Sequence, residues 1–419
     1  MTQDVMKTGD LVILAAITLA GFVVRAYGLG TLPFSGDDIT TALSATNYMH
    51  NGNLGPTMWH HPLLRSIAVY ASMSLLGDGA WGLKSVSMLL GTLTVLFTGL
   101  LAYRLTLRRE AAFLAALFLA IDPIHIDFSR QAVQEIYMGF FSVAGVWFAC
   151  RFRESGRPAW LAISGVLFGL GIASKWDVGV PLVITALFLC GEQLLRPGMA
   201  GIADRTAKGV FILSMLTLLP AAVYALTFIP WFAHGYGFDD WFHLHGAMLH
   251  EALTHTGNNP YLMELDHRPA LWFLKPVGFA DIIFSGGQPL PVIGIANPLV
   301  WLLTLPSLLY LGVRAWKTRD YYLASPGVLF IAVYLPFALA RRPIAAHSAC
   351  SVLPYAFMMA AFTLVTVTDG MRRGRVILGA YLLVTVLVAS PLYLLATGRG
   401  EQLSALRPLI NSFRPLQER

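Results

Sequence analysis

The sequence predicts an all-α integral membrane protein with about eleven transmembrane helices and further juxtamembrane helices outside the bilayer. Two observations predict this class. Of the 419 residues, 56% are hydrophobic and 12% are charged, whereas soluble domains carry about 25% charged residues. Apolar runs of membrane-spanning length also recur along the whole chain. A water-soluble globular protein is therefore excluded.

The predicted crossings are runs without Lys, Arg, Asp or Glu. The long ones are 86–103, 209–233, 291–313, 321–340, 343–368 and 376–398. The shorter ones are 11–24, 111–121, 136–150, 159–174 and 178–191. A short run could instead form a helix in a soluble core. However, the arginines that flank these runs extend a span, because their long side chains reach the membrane surface.

Charge and cysteine content exclude several other classes. The net charge of +6 comes from 29 basic and 23 acidic residues, and no basic face accompanies it, so nucleic acid is not an expected partner. The three cysteines are far apart and suit neither a disulfide framework nor a metal site. The apolar run 11–24 could be a signal peptide, but acidic residues precede it and no cleavage site follows. We expect a retained first helix.

The basic residues predict the orientation of the chain. With a cytoplasmic N-terminus, more than half of the 29 Lys and Arg residues fall in cytoplasmic segments, as the positive-inside rule requires. Two long loops, about 30–83 and 231–290, then lie on the extracytoplasmic side. We find no repeat or linker and expect residues 1–419 to form one polytopic membrane domain, in the cell inner membrane for a bacterial source.

Ionisable residues at membrane depth are costly and usually mark functional sites. In this topology they collect at the extracytoplasmic ends of the helices: Asp37, Asp38, His61, Asp122, Arg130, Glu135, Lys175, Arg341, Arg342 and His347. Several also have a structural interpretation. Ser35 and Asp38 have the spacing of a helix capping box, and Arg130 could pair with Asp127 or Glu135. A random scatter would not place them all on one side.

Cationic side chains near the later helix ends predict a phosphate site. Arg341, Arg342 and His347 lie close together in sequence, and a guanidinium group suits phosphate oxygens. Lys175 joins them, although it could be a plain membrane flank. Six of the 11 histidines lie in the second loop. There His243 and His245 could chelate a metal, but an amphipathic juxtamembrane stretch explains them better. No metal ligands are assigned, and a requirement for a divalent metal ion is left open.

In this order, the segments resemble the motifs of protein O-mannosyltransferases, which are membrane enzymes of the glycosyltransferase C superfamily, and the resemblance covers most of the chain. The similar positions are Asp37-Asp38, His61-Pro62, Ser129-Arg130 with Glu135 and Phe140-Phe141, Gly169 to Lys175-Trp176, Asn297-Pro298 with Trp301, and Arg342 with His347. The departures are Asp38 for Glu, Leu63 for Pro, Glu135 for Asp and Ser348 for Tyr. The second loop is also too short for the β-trefoil domain of eukaryotic members.

The resemblance implies a glycosyltransferase C fold and an inverting transfer of a sugar, expected to be mannose, from a polyprenyl-phosphate carrier to a protein hydroxyl. It implies Asp37 as the general base, with Asp38 beside it. Arg341, Arg342, His347 and Lys175 would hold the donor phosphate. The remaining motif residues, His61, Arg130, Glu135 and Asn297, would line the sugar and acceptor pocket.

Two other functions are considered. One is transfer of a lipid-linked sugar to a lipid or glycan, as in aminoarabinose transferases of the same superfamily. The other is a transporter or flippase of lipid-linked sugars. Transporters tend to place charges near the bilayer midplane between repeated halves. The charges here lie at one surface and no repeat is visible, which favours an enzyme.

Overall fold

The computed structural model describes residues 6–53, 61–195, 201–254, 269–275, 278–285, 288–340, 344 and 346–399. The first nine helices are α1 Thr8–Ala26, α2 Gly36–Asn51, α3 Leu64–Leu76, α4 Ala80–Thr106, α5 Arg109–Ile121, α6 Pro123–Ser129, α7 Gln134–Ser155, α8 Pro158–Ile172 and α9 Gly179–Leu195. The next are α10 Ile202–Leu226, α11 Ile229–Ala233, α12 Phe238–Thr254, α13 Pro298–Trp301, α14 Thr304–Thr318, α15 Ser325–Leu339, α16 Leu353–Asp369 and α17 Gly374–Ala396. Strands β1 Gly278–Ser285 and β2 Gln288–Ile295 pair antiparallel.

The predicted helical membrane fold is confirmed. Within the described residues, six helices are long and apolar enough to cross a membrane, or seven if α5 and α6 form one bent span. Four shorter apolar helices, α3, α8, α15 and α16, accompany them. The number of eleven crossings stays a prediction. Helices α2 and α3 lie in the first predicted loop and α12 lies in the second, and their position beside the membrane stays a prediction.

The predicted span 291–313 was wrong in its extent. The apolar run 291–313 is not one helix, because its beginning belongs to strand β2 and the chain then turns into α13 and α14. Asn297, two residues after the end of β2, caps α13 by accepting a hydrogen bond from the Leu299 N–H at 3.2 Å. The sequence between the two strands is Gly286-Gly287, which lies outside the described residues, and a Gly-Gly sequence favours a two-residue hairpin connection. The hairpin was not anticipated.

Helices α7 and α16 are buried over most of their length. The Ser142 hydroxyl of α7 lies 2.6 Å from the Tyr355 hydroxyl of α16. Helix α7 also packs against α4 and α8, while α16 packs against α5 and α14. The first half of the chain and the second half therefore share one apolar core.

Ion pairs show how the helix ends are arranged. At one end of the bundle Arg104 of α4 pairs with Glu154 of α7 at 2.8 Å, Arg153 pairs with Glu192 of α9 at 2.8 Å, and Arg108 pairs with Asp369 of α16. The C-terminal ends of α4, α7, α9 and α16 therefore lie on the same side. Their N-terminal ends, where the predicted site residues occur, lie on the opposite side.

Helices α8 and α10 approach closely at two glycines of α8. A Cβ atom at Gly169 would lie 2.7 Å from the Val223 Cβ, and one at Gly165 would lie 2.6 Å from the Met215 carbonyl oxygen. Glycines four residues apart are typical of tight helix contacts in membranes. Space at these positions is thus needed for the bundle to close.

We expect Gly169→Ala to lower the free energy of unfolding by about 1–3 kcal/mol, because the added methyl group overlaps α10. Gly379→Ala in α17 is the matched control, since nothing lies within 4 Å of a Cβ there. It should be neutral or stabilising by about 0.5 kcal/mol. Thermal unfolding of both variants in detergent checks this, and equal effects would contradict the close contact.

Candidate active site

The acidic pair at the start of α2 divides into two different environments. Asp38 is fully buried. It completes the predicted capping box, because its Oδ2 accepts from the Ser35 N–H at 2.9 Å and its own N–H donates to the Ser35 hydroxyl at 3.2 Å. Asp37 is only half-buried, and among the described residues its carboxylate accepts no hydrogen bond. The capping interpretation is therefore confirmed for Asp38, while Asp37 keeps its oxygens available.

Charges from three other elements face Asp37. The positive groups are His347 and Arg65, and the negative group is Glu135. Burial raises the pKa of the Asp37 carboxyl, whereas the charges of His347 and Arg65 oppose that rise. A carboxylate with an increased pKa and free oxygens suits a general base, because proton transfer is most effective when the pKa of the base is close to the working pH.

Glu135 at the start of α7 connects two of the predicted cations. Its Oε1 lies 2.9 Å from the Lys175 Nζ and 3.5 Å from the His347 Nε2. The Glu135 side chain is 3% exposed and that of Lys175 is 14% exposed. The structure therefore brings together Glu135, Lys175 and His347, which the sequence placed in three separate motifs.

His61 lies at the same helix end. Its Nε2 is 2.8 Å from the Nε2 of Gln134, the residue that precedes Glu135 in α7. The Gln134 amide group donates to the imidazole in this contact, which leaves His61 Nε2 as the acceptor. His61 therefore lies beside the Glu135 cluster.

Two other predicted pocket residues have structural partners. The Arg130 Nη1 donates to the carbonyl oxygens of Arg25 and Tyr27 at 2.7 and 2.8 Å, at the end of α1. Neither of the pairings considered for it, with Asp127 or with Glu135, appears among the ion pairs of the described residues. Asn297 donates to the Thr385 carbonyl at 3.0 Å and caps α13. Their roles in substrate binding stay predictions.

The segment 122–130 is buried rather than an exposed loop. Asp122 caps α6 by accepting from the His125 N–H at 2.9 Å, and its other oxygen accepts from the Trp301 indole N–H at 2.8 Å. The Arg25 Nη2 lies 2.8 Å from the His125 Nδ1. With Pro123, this cap bends α6 by 61° from α5. The density of polar residues here thus builds a turn inside the protein.

The structure adds two charged residues that the sequence analysis did not select. Arg65 in α3 is 3% exposed, and its charge acts on both Asp37 and Glu135. Lys84 in α4 is fully buried and pairs with Asp38 at 2.9 Å. A signal for Arg65 was its position one helical turn after His61-Pro62. Lys84 was visible only as a charge that precedes an apolar run.

Arg341 and Arg342, which carry most of the predicted phosphate site, lie outside the described residues. Their placement beside His347 stays a prediction. Among the residues that the structure describes, no group of three or more His, Cys, Asp or Glu side chains is arranged to hold a metal ion. His245, one of the two histidines considered for chelation, instead lies 2.7 Å from the Tyr224 hydroxyl.

Known proteins are similar in sequence to most of this chain. Residues 60–231 match the model of the dolichyl-phosphate-mannose-protein mannosyltransferase family. A polyprenol-phosphate-mannose–protein mannosyltransferase of Mycobacterium tuberculosis is 24% identical, over 83% of this chain and 79% of that protein. A relative with the same description from Corynebacterium glutamicum is 24% identical, over 72% of this chain and 69% of that protein.

Solved structures share the fold. The S. cerevisiae protein O-mannosyltransferase Pmt1–Pmt2 complex bound to the sugar donor matches with a TM-score of 0.80 and 11% identity, over 96% of this chain and 93% of that chain. ArnT from Cupriavidus metallidurans bound to undecaprenyl phosphate matches with a TM-score of 0.60 and 15% identity, over 97% and 73%. The chain thus has the same fold as these two membrane transferases. The resemblance to protein O-mannosyltransferases predicted from its motifs is confirmed.

We expect Glu135→Gln to lower the free energy of unfolding by about 3 kcal/mol, because it removes the buried partner of Lys175. Glu192→Gln is the matched control. It breaks the pair with Arg153 at the other end of the bundle, where the arginine is 28% exposed, and should cost less than about 1 kcal/mol. Thermal unfolding in detergent measures both, and equal losses would contradict a special role for the Glu135 pair.

Proposed function

We propose that this chain is an inverting mannosyltransferase that moves mannose from a polyprenyl-phosphate carrier to a hydroxyl group of a protein acceptor on the extracytoplasmic side of the membrane. The observation that carries the proposal is the half-buried Asp37 carboxylate, free of hydrogen bonds among the described residues, beside the cluster of Glu135, Lys175 and His347. The similarity to polyprenol-phosphate-mannose–protein mannosyltransferases supports the donor and the acceptor class.

In the proposed reaction, the acceptor oxygen attacks the anomeric carbon while Asp37 takes the hydroxyl proton. The bond from that carbon to the phosphate oxygen breaks, and its electron pair leaves with the lipid phosphate. Direct displacement from the opposite face inverts the sugar carbon. Negative charge grows on the phosphate in this step, so fixed cations stabilise the transition state more than the ground state.

We assign the donor phosphate to Lys175 and His347, together with Arg341 and Arg342. Lys175 and His347 share Glu135 as a neighbour, which holds both side chains at one helix end. His61 lies next to the same cluster and is proposed to contact the sugar or the acceptor. Arg130 and Asn297 are proposed for this pocket from their motifs alone. The apolar surfaces of the bundle would receive the polyprenyl tail.

Two observations favour protein glycosylation over the alternatives. The match to the Pmt1–Pmt2 complex has a higher TM-score, 0.80, than the match to ArnT, 0.60. The charged residues also meet at one end of the bundle rather than at its middle, which is unlike a transporter.

An assay with purified protein, labelled polyprenyl-phosphate-mannose and either a peptide or a lipid acceptor tests whether the acceptor is a protein. Label in the lipid acceptor alone would overturn the proposed protein acceptor.

Asp37→Asn keeps the shape of the side chain and removes the base, so we expect transfer to fall by about two to four orders of magnitude. The variant should fold, because the Asp37 carboxylate makes no hydrogen bond among the described residues. Asp239→Asn in the first turn of α12 is the control and should keep transfer within about twofold of wild type. Wild-type activity of the Asp37 variant would remove this residue from the mechanism.

The proposed orientation is a cytoplasmic N-terminus in the inner membrane of a bacterial cell, with residues 1–419 forming one domain. We expect a reporter fused after Arg419 to be extracytoplasmic. A reporter inserted within residues 151–157, the segment at the end of α7 that contains Glu154, should be cytoplasmic. Alkaline phosphatase and fluorescent-protein fusions measure this. Both reporters on one side of the membrane would contradict the model.

A further inference from the structure

Lys84 is a charged residue in a place where charge is expensive. It lies near the start of the membrane-spanning helix α4 and is fully buried. Its Nζ has two partners, the Asp38 Oδ2 at 2.9 Å and the Pro33 carbonyl oxygen at 2.8 Å. A buried ion pair adds little net stability compared with apolar residues of the same size. Stability is therefore a weak reason for a lysine here.

The partner of Lys84 reaches a second element. While Asp38 Oδ2 contacts Lys84, its Oδ1 accepts a hydrogen bond from the Ala132 N–H at 2.7 Å. The Ala132 carbonyl oxygen accepts from the Thr41 hydroxyl at 3.2 Å and from Arg65 at 3.4 Å. The backbone N–H and carbonyl groups of Ala132, which belong to two adjacent peptide units, are thus bound by side chains of α2 and α3. We call Lys84, Asp38, Thr41 and the Ala132 backbone the Ala132 clamp.

The clamp joins the two halves of the candidate site. Ala132 lies in the turn between α6 and α7, and α7 begins at Gln134, so Glu135 follows the clamped peptide closely. On the other side, Asp37 precedes Asp38 in the first turn of α2. Fixing the Asp38 carboxylate sets the rotation of α2 about its own axis and its position along that axis. The distance from the Asp37 carboxylate to the charged start of α7 is set by the same contacts.

We propose that Lys84 is a positioning residue for glycosyl transfer, which acts through Asp38 and the Ala132 peptide to hold Asp37 opposite the start of α7. The inference rests on the proposed role of Asp37 as base. It assigns Asp38, the second acid of the pair, to the same positioning role rather than to contact with the substrate. Lys84 serves the reaction without touching the sugar or the acceptor.

The test compares kcat and donor KM for full-length Lys84→Met, Lys84→Arg and Asp38→Asn in nanodiscs. A displaced base slows the chemical step, so we expect Lys84→Met to lower kcat about a hundredfold and to leave the donor KM within about twofold of wild type. Lys84→Arg keeps the charge but not its position and should lose about tenfold. Wild-type kcat in folded Lys84→Met would overturn the proposal.

A double variant decides whether Lys84 acts through Asp38. Residues that act as a unit are not additive, so Lys84→Met combined with Asp38→Asn should be no slower than Asp38→Asn alone. Losses that multiply would overturn the proposal. If Lys84→Met does not fold, Lys84→Arg decides: a lower kcat at unchanged donor KM supports the clamp, and wild-type kcat overturns it.

The matched control is Arg104→Met, which breaks the ion pair with Glu154 at the opposite end of the same helix. This variant should change thermal stability and keep kcat within about twofold of wild type. A loss of kcat as large as that of Lys84→Met would overturn the positioning role of Lys84. Asp37→Asn is measured in the same series. Full activity of that variant would overturn the proposed base, whereas the Lys84 variants overturn only the clamp.

Discussion

Charged side chains inside an apolar helix bundle need partners, and this requirement organises the structure. Lys84 and Arg25 are fully buried, and Glu135 is nearly so. Each is satisfied by groups on other elements: Lys84 by Asp38 and the Pro33 carbonyl, Glu135 by Lys175, and Arg25 by the carbonyls that end α5. An unpaired charge at these positions would cost several kcal/mol. These buried side chains therefore fix the positions of the loop segments that they contact.

These contacts separate the conspicuous polar residues into a scaffold and a site. Asp38, Arg130 and Asn297 each bind backbone atoms of other segments. Among the described residues, by contrast, the Asp37 carboxylate accepts no hydrogen bond, and His347 lies 3.5 Å from Glu135. Preorganised groups stabilise a transition state without rearranging during the reaction. A rigid scaffold around the Asp37 carboxylate meets that condition.

Sequence patterns predicted what depends on local order. The apolar runs gave the helical membrane class, and Ser35 with Asp38 gave the capping box, because a cap involves residues three apart. The hairpin was missed because Ile- and Val-rich stretches suit strands as well as membrane helices, although Gly286-Gly287 was a usable signal. The pairing of Lys84 with Asp38 had no local pattern. Contacts between residues far apart in sequence arise only when the helices pack.

The departures from the family motifs occur where the structure shows different demands on side-chain length. Asp38 stands where the resemblance has Glu, and its short side chain reaches both Lys84 and the Ala132 N–H directly, at 2.9 and 2.7 Å. Glu135 stands where the resemblance has Asp, and its longer side chain brings one oxygen to Lys175 and within 3.5 Å of His347. Asp38 thus connects α2 to α4 and to the turn before α7, whereas Glu135 connects the start of α7 to Lys175 and His347. Each acid has a side-chain length that fits its own partners, so the two substitutions are compatible with one site geometry.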